Sequence, residues 1–142
     1  MTDGKQEQTA AAAATSISGW DSLELARRIA GYADDKKALD VVILDVEEAL
    51  QVTDYFVIAT GRNRRHLGVV AESAAKELKQ HGIHRLQGTP FNDENWVVLD
   101  FGDVVLHVFS AAARDFYDLE NLWGDCEAVE WTPSEAEEEP AA

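Results

Sequence analysis

Cysteine occurs once, at Cys126, so no disulfide can close within the chain and no cysteine-rich zinc cluster can form. Long apolar runs are missing too. None could span a bilayer, and none near the start resembles a signal peptide. No glycine-rich loop leads from a strand into a helix in the way a phosphate cradle requires. Positive charge is scarce: 12 lysines and arginines stand against 27 aspartates and glutamates, for a formal net charge of −15. Only four of those acids, Glu135, Glu137, Glu138 and Glu139, belong to the final stretch, so the preceding region is acidic in its own right. Such a surface disfavours unaided binding to nucleic-acid phosphates and suits a basic protein partner, although acidity also serves solubility alone. The expectation is a soluble, cytoplasmic protein of a reducing compartment that makes no use of a membrane.

What is present is the material of a core. Four tryptophans and a hydrophobic fraction of 46% indicate a globular chain, and its length suits one domain. The expected organisation is a flexible tail over 1–19, a domain over 20–126 and an acidic flexible tail over 127–142, because both ends offer little apolar surface to offset ordering entropy.

The chain is organised around Trp96 to Gly124. Trp96–Leu99 and Val104–Phe109 are rich in β-branched and aromatic residues and read as two strands. Asp100-Phe101-Gly102-Asp103 forms the turn between them, with Gly102 free to adopt φ > 0. Ser110 is placed to cap a following helix. In that helix Ala112, Phe116, Leu119 and Trp123 fall on one apolar face, Arg114 and Asp118 form an i,i+4 pair, and Gly124 ends it. Upstream, Asp21 and Glu24 open a first helix with a stripe at Leu25, Ile29 and Tyr32. Leu39–Val46 and Asp54–Thr60 read as strands, with an ambiguous turn of helix between them. A long helix runs from Asn63 to His81 and stops at Gly82, and Ile83–Gln87 is a weak edge strand. Two strand pairs separated by a long helix predict an α/β fold, a mixed β-sheet packed with helices.

The chemistry offers several candidates. Asp45, Asp54, Asp100 and Asp103 lie near strand ends, where carboxylates could converge on magnesium for nucleotidyl transfer; residues of this kind are also commonplace in turns. Asp100-Phe101-Gly102 spells the metal-binding tripeptide of kinases, but the companion motifs of that fold are absent. His81 and His84 flank Gly82 at a helix end and lack the further ligands a zinc site needs. His107, on a strand apolar on both sides, reads as a core or interface histidine with a hydrogen-bond partner. Arg62, Arg64, Arg65 and His66 form the one basic cluster, which suits a phosphate or pairs with the chain's own acids. Trp96 follows the polar run Asn92–Asn95 and by parity shares a face with Val98 and Asp100, as either a rim anchor for a partner or a core residue. No catalytic residue, metal ligand or cofactor emerges from this pattern.

Three blocks in order carry a family resemblance: L-D-V…V-T-D-Y-F-V-I-A-T-G, W-V-V-L-D-F-G-D-V-V-L-H-V-F and R-D-F-Y-D-L-E-N-L-W-G. Together they resemble the ribosomal silencing factor, or Iojap-related, family over roughly Trp20 to Asp125. The resemblance implies a nucleotidyltransferase-like topology without that catalysis. It also implies binding to the large ribosomal subunit through its fourteenth protein, steric blocking of small-subunit joining, and lowered translation when nutrients are scarce. Some members are dimers when free, and minor contact with ribosomal RNA is compatible. Carried onto this chain, the partner-binding residues would be Trp96, Asp100, Phe101, Gly102 and Asp103, with Arg114, Tyr117 and Glu120 from the last helix. In this scheme Trp96 and Phe101 bury apolar surface on the partner. The competing expectation from the aspartates is a magnesium-dependent nucleotidyltransferase-like enzyme.

Overall fold

A computed structural model describes residues 19–131. The expected N-terminal tail and the acidic run after Trp131 lie outside the described residues. The elements are α1 (Ser22–Asp35), β1 (Leu39–Asp45), α2 (Glu47–Leu50), β2 (Tyr55–Gly61), α3 (Arg64–Gln80), β3 (Gln87–Gly88), β4 (Trp96–Asp100), β5 (Val104–Ser110), α4 (Ala111–Tyr117), α5 (Leu119–Leu122) and β6 (Glu127–Val129). They build one six-stranded sheet in the order β3-β4-β5-β2-β1-β6. Its centre is the parallel pair β2–β5, and every other pairing is antiparallel, so the expected mixed sheet is present. The connection between the parallel strands carries α3, as a parallel crossover generally requires a helix.

The two sheet faces are covered unequally. Ile43, Val57, Ala59, Val97, Leu99, Leu106 and Val108 point to one face and pack beneath the long helices α1 and α3, whose apolar stripes include Leu25, Ile29, Leu67, Val70 and Leu78. The alternate residues Leu44, Phe56, Ile58 and Phe109 point to the other face, where the short helices α2, α4 and α5 pack through Leu50, Ala113 and Leu119, together with Trp123 and Cys126. Period-two alternation along each strand produces this division.

The helix boundaries follow capping chemistry. Asp21 Oδ1 accepts from Glu24 N (2.8 Å) at the start of α1, and Ser110 Oγ accepts from Ala113 N (3.1 Å) at the start of α4. Glu24 does not reach back to complete a capping box; its carboxylate takes Arg28 Nε at 2.7 Å. α3 ends with Gly82 at φ +80°, Gly82 N donating to Lys79 O and Ile83 N to Leu78 O, the paired bonds of a Schellman stop. α1 ends in the same way, but Lys37 occupies the left-handed position at φ +69°. A Cβ is strained there, so Lys37→Gly should raise stability by about 0.5–1 kcal/mol, read as a shifted urea midpoint at unchanged slope.

Three expectations need correction. The sheet continues past Cys126: β6 pairs with β1, and Trp131 Nε1 donates to Val41 O (3.2 Å), so ordered structure extends beyond the boundary drawn at 127. The edge strand lies at Gln87–Gly88 instead of Ile83–Gln87. The last helix is broken. Asp118 adopts φ +50°, splitting it into α4 and α5, and Phe116 is left 80% exposed instead of lying on a buried stripe. Gly124 follows α5 with no left-handed turn of its own, since the chain has already left the helix at Trp123.

Candidate partner-binding face

Trp96 opens β4 from a polar loop whose geometry Asp93 fixes. Asp93 Oδ1 accepts from Asn95 N (2.9 Å) and Trp96 N (3.0 Å), and these two backbone bonds hold its carboxyl below the usual range. The indole projects onto the thinly covered face. It stacks on Phe109 at 5.0 Å, meets Tyr117 at 4.8 Å, and donates from Nε1 to His107 Nδ1 at 3.1 Å. Tyr117 in turn meets Phe116 edge-on at 5.1 Å. A run of rings therefore passes from the sheet out to α4, with Trp96 half-buried and Tyr117 and Phe116 exposed. Val98 and Asp100 continue the same face of β4, both partly accessible, so the predicted parity holds.

His107 has the hydrogen-bond partner expected of it. Accepting at Nδ1 places its proton on Nε2, which is buried without a partner among the described residues. Burial pushes its pKa down to about 4, against a smaller upward pull from Asp100. A histidine depressed in this way is protonated in the unfolded chain before it is in the folded one, so stability falls as pH drops from about 6.5 to about 4. The shift corresponds to about 3 kcal/mol across that window. Urea melts at pH 7, 6, 5 and 4 should show this decline, and His107→Gln should flatten it.

The turn after β4 behaves differently from expectation. Asp100 Oδ1 accepts from Gly102 N (2.8 Å), its Oδ2 accepts from Gln87 Nε2 (3.1 Å), and Gly102 sits at φ +95°. Asp103 O receives both Asp54 N and Tyr55 N. Phe101 is only 6% exposed and lies in the core beneath the long helices. It therefore cannot bury surface on a partner beside Trp96. The alternation that unites Trp96 with Asp100 sends Phe101 to the opposite face together with Val97 and Leu99.

Arg114 is committed within the molecule. Its Nε and Nη2 form a fork on Glu120 (3.0 and 2.8 Å), and its Nη1 donates to Thr60 Oγ1 (2.8 Å) and Asp40 O (2.6 Å). That hydrogen bonding, with Arg114's charge, holds the Glu120 carboxyl below its usual range. The expected Arg114–Asp118 pair is replaced by this one, because the left-handed turn at Asp118 carries α5 back toward β2. Asp118 contributes only its backbone N–H to Arg114 O.

The remaining candidates disperse. His66 is not on the surface with the arginines: it is buried, its Nδ1 accepts from Arg62 N (2.9 Å), its Nε2 lies 2.7 Å from Lys36 O, and it ties α3 to the end of α1. His81 packs on Trp20 at 4.6 Å. Asp45, Asp54, Asp100 and Asp103 gather at the sheet end opposite Trp96, Ser110 and Gly61. Among the described residues no three histidine, cysteine, aspartate or glutamate side chains come close enough to hold a metal. No described helix is long and apolar enough to cross a membrane.

A small mixed-sheet α/β domain that leaves one sheet face to a few exposed rings has the build of a binding domain. The family description "Ribosomal silencing factor during starvation" matches residues 20–142, and the chain belongs to the ribosomal silencing factor family. It is 38% identical over 109 residues to the ribosomal silencing factor of Halalkalibacterium halodurans, covering 75% of this chain and 92% of that one. The Bacillus subtilis factor is 38% identical over 96 residues, 68% of this chain and 81% of its relative. The chloroplastic protein Iojap of Arabidopsis thaliana is 32% identical over 120 residues, 84% of this chain and 50% of the plant protein. Two crystal structures share the fold. A Chromobacterium violaceum protein has TM-score 0.71 at 32% identity, covering 73% of this chain and 87% of that one. One from Bacillus halodurans has TM-score 0.67 at 33%, covering 76% and 98%. The family role is ribosome silencing, a regulatory one.

Proposed function

We propose that the chain binds the large ribosomal subunit at its fourteenth protein and, by occupying that site, keeps the small subunit from joining. Translation is thereby lowered when nutrients are limiting. The observation that carries this reading is the open aromatic face, in which Trp96, Tyr117 and Phe116 have no long helix over them and Val98, then Asp100 at the far end of β4, continue the same side of the strand. Burying such rings supplies affinity, and the surrounding carboxylates complement a cationic ribosomal protein and speed encounter.

The residues in this role divide by where the fold places them. Trp96 and Tyr117 make apolar contact, while Asp100 and Asp103 meet lysine or arginine of the partner. Gly102 and buried Phe101 shape the turn that presents those acids. Arg114 and Glu120 hold α4 and α5 in place and so position Tyr117. The work is steric, without substrate turnover, in the cytoplasm. In the free state the same face can be covered by a second copy. The test mixes separated subunits with the purified chain and follows 70S formation by light scattering. Joining should fall in proportion to occupied large subunits; unchanged joining at saturation would overturn the reading.

A further inference from the structure

Three of the chain's twelve lysines and arginines stand within four consecutive positions, Arg62 to Arg65, where the backbone leaves β2 and enters α3. All four residues of that segment are exposed. Arg64 serves the fold, because its Nε donates to Asn92 O at 2.9 Å and ties the loop before β4 to α3. The guanidinium groups of Arg62 and Arg65 have no hydrogen bond or ion pair among the described residues. The other described arginines all have partners: Arg28 pairs with Glu24 and Arg114 with Glu120, while Arg27 and Arg85, like Arg64, donate to backbone carbonyls. Two unmatched guanidiniums so close together are therefore an exception to its own pattern.

They adjoin a groove of about 520 Å³ between α3 and the loop, lined by Arg64, Arg65, Gly68, Val69, Phe91 and Asn92, with Glu72 the single acid on its wall. Gly68 allows the approach, since a Cβ there would meet Phe91 O at 2.7 Å. Arg85 lies over the Phe91 ring at 4.7 Å and adds a cation to the loop side. The position relative to the aromatic face follows from register. Trp96 pairs with Phe109 and Phe109 with Thr60, so Arg62, two residues past Thr60, begins about 12 Å from Trp96, two strand spacings across and two residues along.

We infer that this sheet end binds the phosphate backbone of RNA, so that the docking surface has two parts: the rings take a protein, and Arg62 and Arg65 take the RNA beside it. This rests on the ribosomal reading above. Guanidinium forks match phosphate oxygens, and two of them give a contact whose strength depends on counterion release. The chain's overall charge of −15 opposes free RNA, so the contact forms where the aromatic face has already docked.

The test is co-sedimentation with isolated large subunits across a potassium chloride series, using wild type, the Arg62→Gln/Arg65→Gln double variant and Trp96→Ala. The double variant should bind about tenfold more weakly at low salt and converge on wild type at high salt. Its log–log salt slope should be smaller by on the order of one to two, one phosphate contact per arginine. Trp96→Ala should weaken binding at every salt concentration with the wild-type slope. A benzoylphenylalanine photocrosslinker at position 65 should give an adduct with RNA. An unchanged slope in the double variant, or an adduct with protein alone, overturns the inference while leaving the ribosomal reading intact. Failure of wild type to bind the subunit overturns both.

Discussion

Trp96→Ala should weaken binding to the large ribosomal subunit about a hundredfold, the scale on which a central tryptophan acts at an interface. The indole is built for that role. Phe109 supports it from below, Tyr117 flanks it, and its N–H is already satisfied by His107, so docking would not strand a polar group. Removing it also strips His107 Nδ1 of its donor and part of a ring stack, which should destabilise the domain by about 2 kcal/mol. Trp96→Phe separates the two effects. It keeps a ring in the stack and loses the hydrogen bond, so it should bind within about tenfold of wild type while sharing part of the stability loss. Isothermal titration against purified subunits, paired with urea melts of each variant, distinguishes the contributions. Equal affinity for wild type and a folded Trp96→Ala variant would remove the residue from the interface.

Arg114→Met should cost about 3 kcal/mol of stability, although the guanidinium is partly accessible. The substitution keeps the aliphatic stem and deletes four hydrogen bonds that join α4 and α5 to β1 and β2. One of them satisfies the carbonyl of Asp40, which the left-handed backbone at φ +50° turns out of the ladder where β1 and β2 shift register. Glu120→Gln, which retains a shape able to accept from Arg114, should lose less, about 1 kcal/mol, because its carboxylate is exposed enough for water to share the load. Hydrogen exchange should show the Arg114 variant opening locally over Ala111–Leu122 before the rest of the sheet. Uniform protection across the chain in that variant would show that the clasp does not govern the segment.

Much of the fold could be read from local chemistry. The hairpin β4–β5 announced itself through β-branched runs around Gly102, and Asp21, Ser110 and Gly82 marked helix ends where side chains or a missing Cβ satisfy backbone groups. The parity of Trp96, Val98 and Asp100 was equally legible. Phe101 was misplaced as a partner contact although the same parity, carried one step past Asp100, points it into the core. What escaped were features decided at a distance. β6 is three residues long, and only its pairing with β1 makes it a strand. The pairing of Arg114 with Glu120, six positions on, depends on Asp118 adopting a backbone conformation that no periodicity reveals. His66 looked like part of a cationic cluster because its burial is fixed by Lys36, thirty residues earlier. In the candidate site, the type of residue was visible in the sequence, while which groups remained free was set by tertiary hydrogen bonds.

The sheet ends at β3 and β6, strands of two and three residues. Such short rims expose few unpaired amides, giving a neighbouring molecule almost no ladder to extend. Heating the described domain should therefore melt it without seeding fibrils, and cooled samples should recover their original spectrum with little loss to precipitate.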